Sequence, residues 1–243
     1  MKLRQLPRAL TLGLLSIMIL SLTGCLYPED QTPGGQASAR EAVLTVQDAT
    51  ERYQSQTSLL PIQNAKESVP VYEKYKVDLG KLKRMGYIAQ IPAAAFENGG
   101  SYQFLIIDEE TDPKVKLLDL VVFQTVNDVQ KKVDEYRSSH GDRIPKGDEL
   151  YPGFSVINFK ELGMKAPNIQ SMYSRQTLNF LVNDQGQAYV DYGIDIATAV
   201  KKAQTEPQPN EDLRKVLVDA SYYVPVRSPV YHWMEGEPRA VND

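Results

Sequence analysis

The chain is poor in the residues that most often carry chemistry. It has one cysteine and two histidines in 243 residues. The cysteine, Cys25, closes an apolar run in "SLTGCLYPED". Nothing after it bears a thiol, which removes disulfides, a cysteine nucleophile and cysteine-based metal sites from the rest of the chain. A Ser-His-Asp arrangement needs one histidine as base. His140, in "SSHGDR", reads instead as a cation at a helix end, where the helix dipole favours it. His232 lies in an aromatic tail beside Trp233. G-x-S-x-G, H-E-x-x-H, the P-loop and G-x-G-x-x-G are all missing. Positive charge is in deficit, with 27 Lys and Arg against 31 Asp and Glu and a net charge of −4. A chain of that sign is repelled by nucleic acid and by anionic headgroups. These absences point to a protein that is not an enzyme, with no catalytic residue, no metal site, no cofactor and no nucleic-acid partner.

What is present begins with a targeting segment. Lys2, Arg4 and Arg8 give a positive start with no acidic residue, and an apolar stretch runs from Ala9 to Leu22. That is the length of a signal-peptide core and falls short of the roughly 20 residues of a membrane span. Leu22-Thr23-Gly24-Cys25 follows, and it resembles the lipobox of bacterial lipoproteins. The resemblance implies a diacylglycerol on the Cys25 thiol and cleavage between Gly24 and Cys25. A single acyl chain holds a protein only reversibly, while two chains hold it stably. The expected partner is therefore the membrane itself, through a lipid anchor. Cleavage leaves 219 residues and takes away three cations, so the net charge moves from −4 to −7.

The pattern downstream predicts an α+β fold built of two tandem units, each a helix, a short helix and a β-hairpin, followed by C-terminal helices. Residues 1–24 read as the signal peptide and 25–37, with Pro28, Pro33, Gly34 and Gly35, as a tether. The first unit spans 38–122. Ser38 and Glu41 suggest a capping box, with a helix over about 39–56 carrying Ala42, Val46, Ala49 and Tyr53 on one face. "LGKLKRMG" suggests a short helix, and "SYQFLII" and "VKLLDLVVF" suggest two strands. The second unit, 123–194, repeats the order. Val126, Val129, Val133 and Tyr136 share a helical face, "VINFKELGM" parallels "VDLGKLKRM", and "TLNFLVNDQGQAYVDYGIDI" gives another strand pair. Leu79 then corresponds to Phe159, Leu82 to Leu162, Phe104 to Phe180 and Asp119 to Asp191. The shared "TVQD" and "TVND" fall at different points of their helices and are left out of this alignment. Residues 195–243 read as helices and an aromatic tail. Ile196, Ala199, Val200 and Ala203 mark one helix, and Asn210 caps a second with Leu213, Val216, Leu217 and Ala220. The tail runs extended along the fold and frays.

Three clusters invite a functional reading. Asp108, Glu109, Glu110 and Asp112 could converge on a calcium ion, but they lack the mid-loop glycine and terminal glutamate of an EF-hand, and a solvated hairpin turn explains them. Lys81, Lys83 and Arg84 suit an anionic surface or simply a polar helix face. Tyr222, Tyr223, Tyr231 and Trp233 suit a contact surface, because each ring joins a large apolar face to a polar tip; they suit equally a cover over the second unit's core.

The run from "GCLYPEDQ" through "LLPI", "IPAAAFENGGSYQFLI", "VKLLDL" and "AYVDYGIDI" resembles the YphF-type lipoproteins of spore-forming Gram-positive bacteria. The resemblance implies a place on the outer face of the cytoplasmic membrane and carries over no catalytic residue. In a Gram-negative host, Leu26 after the cysteine implies outer-membrane sorting. Three functions compete on the sequence alone. The first is a non-catalytic, lipid-anchored module that binds an envelope protein or wall component. The second is the substrate-binding lipoprotein of an uptake transporter, for which the chain is short and lacks βαβ alternation. The third is an envelope hydrolase working through a carboxylate pair.

Overall fold

The computed structural model of the chain describes residues 33–204, 207–208 and 210–242. The signal peptide, Gly24, Cys25 and tether residues 25–32 lie outside the described residues. The chain divides into Met1–Ser38 and Ala39–Asp243, and the second unit holds every strand. Helix α1, Pro33–Thr57, starts five residues before the predicted capping box, so Ser38 and Glu41 lie inside the helix and cap nothing. Proline is tolerated in a first turn, where its missing N–H has no intrahelical acceptor to lose. Ala39, Ala42, Val43, Val46, Ala49 and Tyr53 form its buried stripe, at the spacing of an amphipathic helix.

Short helices α2 (Val71–Lys74) and α3 (Leu79–Arg84) follow. The Asp78 carboxylate caps α3, accepting from Lys81 N at 2.7 Å. Strands β1 (Tyr102–Ile107) and β2 (Lys114–Asp119) pair antiparallel, with Tyr102 opposite Asp119 and Ile107 opposite Lys114. β2 was expected to continue to Phe123 but stops at Asp119. There one carboxylate oxygen accepts from Val121 N at 2.8 Å and Val122 N at 3.2 Å, and this cap opens helix α4, Leu120–Ser139. The 122/123 boundary between the predicted units therefore falls inside a helix.

α4 buries Val122, Val126, Val129, Val133 and Tyr136. An antiparallel sheet follows in the order β3-β4-β5-β6: Lys146–Tyr151, Phe154–Ile157, Phe180–Asn183 and Ala188–Val190. The short helix predicted over "VINFKELGM" is absent. The segment is strand β4 followed by a single turn, in which Asn158 Oδ1 accepts from Glu161 N at 3.3 Å. Helix α5 (Gly193–Ala203) buries Ile196 and Val200 of its predicted face, with Ala199 half-buried and Ala203 exposed. Asn210 does not cap the next helix. It sits in left-handed backbone at φ 63, and α6 begins at Arg214 and runs to Ala220. The tail closes as an antiparallel hairpin of β7 (Val230–Met234) and β8 (Glu237–Val241) rather than fraying.

The two halves correspond in more detail than their apolar positions indicate. Gln47 of α1 accepts from Val115 N at 2.6 Å and donates to Pro113 O at 3.0 Å and Glu51 Oε1 at 2.8 Å. Gln130 of α4 accepts from Ala188 N at 2.6 Å and donates to Gly186 O at 2.9 Å and Asp134 Oδ1 at 2.9 Å. Each glutamine clasps the entry of its hairpin's second strand. Asp78 N donates to Pro61 O, and Asn158 N to Pro145 O. Ile62 bridges Val77 and Lys76 bridges Leu105, as Lys146 pairs Ile157 and Val156 pairs Leu181. The first half thus follows the same meander of four extended segments, with its first two reduced to single bridges.

Two apolar cores meet at β1–β2. Phe104, Ile106, Val115 and Leu117 pack with the α1 stripe. Leu105, Ile107 and Leu118 point the other way, into the core of α4, the four-stranded sheet and α5. The alternation of a strand sends its neighbours to opposite faces, and here both faces are buried. The C-terminal chain completes this hairpin: Leu117 N donates to Tyr222 O at 2.8 Å and Val224 N to Leu117 O at 3.0 Å. Lys116 Nζ donates to Val218 O and Ser221 O, both at 2.6 Å, at the end of α6.

Candidate functional site

The histidines keep apart. His140 is the C-cap of α4; its ring stacks on Tyr136 at 4.0 Å, with Nδ1 2.9 Å from Tyr136 O. His232 lies half-buried on β7 opposite Arg239. Asp108, Glu109, Glu110 and Asp112 form the β1–β2 turn, where Lys114 pairs with Asp112 at 2.8 Å and Lys215 with Asp108 at 3.7 Å. Lys81, Lys83 and Arg84 lie in α3, its last turn.

The aromatic contact surface needs correction. Tyr231 is fully buried and Tyr223 is buried at 7% exposure, while Tyr222 and Trp233 are half-buried. The Tyr231 hydroxyl donates to Asp191 Oδ1 at 2.7 Å and accepts from Tyr192 N at 3.0 Å. Asp191 also accepts from the Tyr151 hydroxyl at 3.0 Å and Gly193 N at 2.9 Å. Burial, followed by the Asp191 charge, pushes the Tyr231 hydroxyl far above its ordinary range. These rings hold a buried polar group among apolar neighbours; Tyr223 and Tyr231 offer no outward face.

The structure draws attention to a groove that sequence reasoning missed. It has a volume of about 360 Å³ and lies between α4, the β5–β6 turn and Arg227. Val126 and Ala188 give it an apolar part, and Asn127, Gln130, Asp134, Gln185 and Gln187 line the rest. Two guanidinium groups flank it. Arg137 lies along Gly186, whose backbone is left-handed at φ +81. A Cβ there would fall 2.7 Å from Arg137 Nη1, so a larger residue would displace the arginine. Arg137 donates to Gln185 O at 3.0 Å and to Asp142 Oδ1 at 3.4 Å.

Arg227 is held from four sides. Its guanidinium lies over the Phe123 ring at 4.5 Å and donates to Asn127 Oδ1 at 2.6 Å. Its backbone, at φ 55, accepts from Val190 N. Glu73, reaching in from α2, sits 3.7 Å from Nε. Burial pushes the Glu73 carboxyl up, and the Arg227 charge pulls it back. The Nε atoms of both arginines are buried without a hydrogen-bond partner. Each guanidinium carries five N–H donors, and beyond the buried Nε the terminal nitrogens make two hydrogen bonds from Arg137 and one from Arg227.

The corresponding positions of the first half lack this chemistry. Aligning Gln47 with Gln130 puts Leu44 at the place of Asn127, Gln54 at that of Arg137 and Pro113 at that of Gly186. The glutamine clasp belongs to both halves and serves the fold. The arginines belong to one. A signal for the clasp was in the sequence, since V-x-x-V-Q-x-x-x-[DE]-x-Y occurs at 43–53 and again at 126–136. The groove had no such signal, because Arg227 comes from a segment 90 positions after Arg137.

Residues 39–119 match the YphF family N-terminal domain. The span takes in α1 from Ala39, the two short helices and the β1–β2 hairpin, and stops at the Asp119 cap. The groove lies beyond it. No curated protein and no solved structure matches the chain.

Proposed function

We propose that this protein is a lipid-anchored binding module of the cell envelope, non-catalytic, tethered through Cys25 and binding its ligand in the groove beside α4. The observation that carries the address is Leu22-Thr23-Gly24-Cys25 behind a short apolar core and a positive start. The match of residues 39–119 supports the wider likeness to YphF-type lipoproteins of spore-forming Gram-positive bacteria. In such a host the module stands on the outer face of the cytoplasmic membrane; in a Gram-negative host it stands on the outer membrane. The groove supports the binding role, with pinned side chains, spare donors and no counterpart in the first half. The partner is an envelope protein or wall component presented to that groove.

The test is Cys25→Ala in cells. The wild-type chain is expected to begin at Cys25, to carry the mass of a diacylglycerol and to partition into detergent. The variant is expected to stay in the aqueous phase or keep its first 24 residues. Mass spectrometry showing the native chain with residues 1–24 attached, or a free thiol at Cys25, overturns the proposal.

A further inference from the structure

The geometry points to an oxyanion as the group that the groove binds: a carboxylate or phosphate carried by its ligand, received between Arg137 and Arg227. This rests on the groove being the binding site and goes further by naming the chemistry. A carboxylate or phosphate takes several N–H donors at once, and arginine is the side chain that offers them in a planar fork.

The supply of donors exceeds the demand. Arg137 spends two hydrogen bonds, on Gln185 O and Asp142 Oδ1, and the second is a long one of 3.4 Å to an exposed carboxylate. Arg227 spends one, on Asn127 Oδ1. Nearby acceptors are already engaged: Gln130 Oε1 takes Ala188 N, and Asp134 Oδ1 takes Gln130 Nε2. An incoming acceptor meets two cations whose side chains remain 30% and 27% exposed.

Arg137 is also placed where the fold does not need it. The first half builds the same helix, clasp and hairpin with Gln54 at the place of Arg137. In the second half Arg137 lies against the left-handed Gly186 of the β5–β6 turn. Glu73, supplied from α2, pairs with Arg227, Asp142 pairs with Arg137, and Asp134 lines the groove beside them. An anion is therefore drawn by the geometry of the arginine forks and not by net charge.

The experiment is a titration of the full chain in detergent micelles, labelled with ¹⁵N-arginine. The probes are inorganic phosphate, dimethyl phosphate and acetate at matched ionic strength, with N-acetylglucosamine as a neutral control. The side-chain signals of Arg137 and Arg227 are expected to move in a saturable way with at least one oxyanion. Preference for dimethyl phosphate would indicate a diester within a polymer, for inorganic phosphate a free phosphate, and for acetate a carboxylate. Arg137→Gln installs the first half's residue and should weaken that response tenfold or more while leaving the far-ultraviolet spectrum unchanged. Arg227→Lys keeps the charge and loses the fork, and should weaken it as well. Saturable shifts with N-acetylglucosamine alone would keep the groove as a binding site and overturn the oxyanion. Silence with all four probes would overturn both, and binding undiminished in Arg137→Gln would overturn the placement.

Discussion

Asp195 shows how one side chain sets a pH dependence. It lies on the first turn of α5, buried, with Oδ1 unpartnered. Burial pushes its carboxyl above the ordinary carboxylate range, and hydroxyls of Ser174 and Ser171 pull it part of the way back. A carboxyl raised by folding takes up a proton more readily in the native state than in the unfolded chain. The stability it contributes is complete below the unfolded value of about 4 and is lost as pH rises through the folded value. Asp195→Asn removes the charge and keeps the shape. We expect the variant and the wild type to melt together near pH 4, and the variant to melt about 2–4 °C higher at pH 7–8, the shift that roughly 1 kcal/mol gives in a chain of this size. Equal melting temperatures at both ends of that range would refute the assignment. Gly186 is the opposite case, a residue defined by what it lacks. Its missing side chain is the space that Arg137 occupies.

At the level of the elements, the repeated clasp is the feature with the plainest energetic content. Gln47 and Gln130 each satisfy a strand-entry N–H and a turn carbonyl that would otherwise be left without partners. Gln47→Ala and Gln130→Ala should each cost about 1–3 kcal/mol, the range for stranding such groups. The two losses should add to within about 0.5 kcal/mol, since the sites share no partner. Chemical denaturation with an unchanged slope is the measurement; a penalty at one site and none at the other would mean that the two clasps are not equivalent. Much of this architecture could be read from the chain. The apolar stripes of α1, α4 and α5 follow the helical period, and strand pairs sit where alternation and turn residues put them. Errors came where one polar side chain decided the outcome. The Asp119 carboxylate turned an apolar run, "LVVF", from strand to helix, and apolar periodicity over four residues cannot tell the two apart. Pro33 reads as a tether residue, yet a first helical turn accepts it. The aromatic tail gave no hint that Tyr231 would be spent on Asp191, because that bond joins residues 40 positions apart. The groove was illegible for a similar reason: its walls come from α4, a turn and a late segment, with Glu73 behind them from the first half.

For the molecule as a whole, the decisive arrangement is the hairpin with a core on each side. Removing either core would bare one face of β1–β2, so neither half is complete alone. Residues 39–243 should therefore unfold in one cooperative transition, with calorimetric and van't Hoff enthalpies equal. Two resolved transitions would show that the halves are separate domains. The internal correspondence has then a particular character. The first half has a helix and a two-stranded hairpin preceded by single bridges, and the second has a helix carrying Arg137 and a full four-stranded sheet.

The backbone partnership of Leu117 with Tyr222 and Val224 sets a timetable for the newborn polypeptide. More than a hundred residues must leave the ribosome after Leu117 before its companions emerge. At a synthesis rate of about 5–20 residues per second, β2 waits roughly 5–20 s with one border bare. An uncovered strand border invites pairing with other chains. Any product cut short before position 222 would carry that vacancy permanently, and the cell would meet it as an adhesive fragment rather than as half a protein.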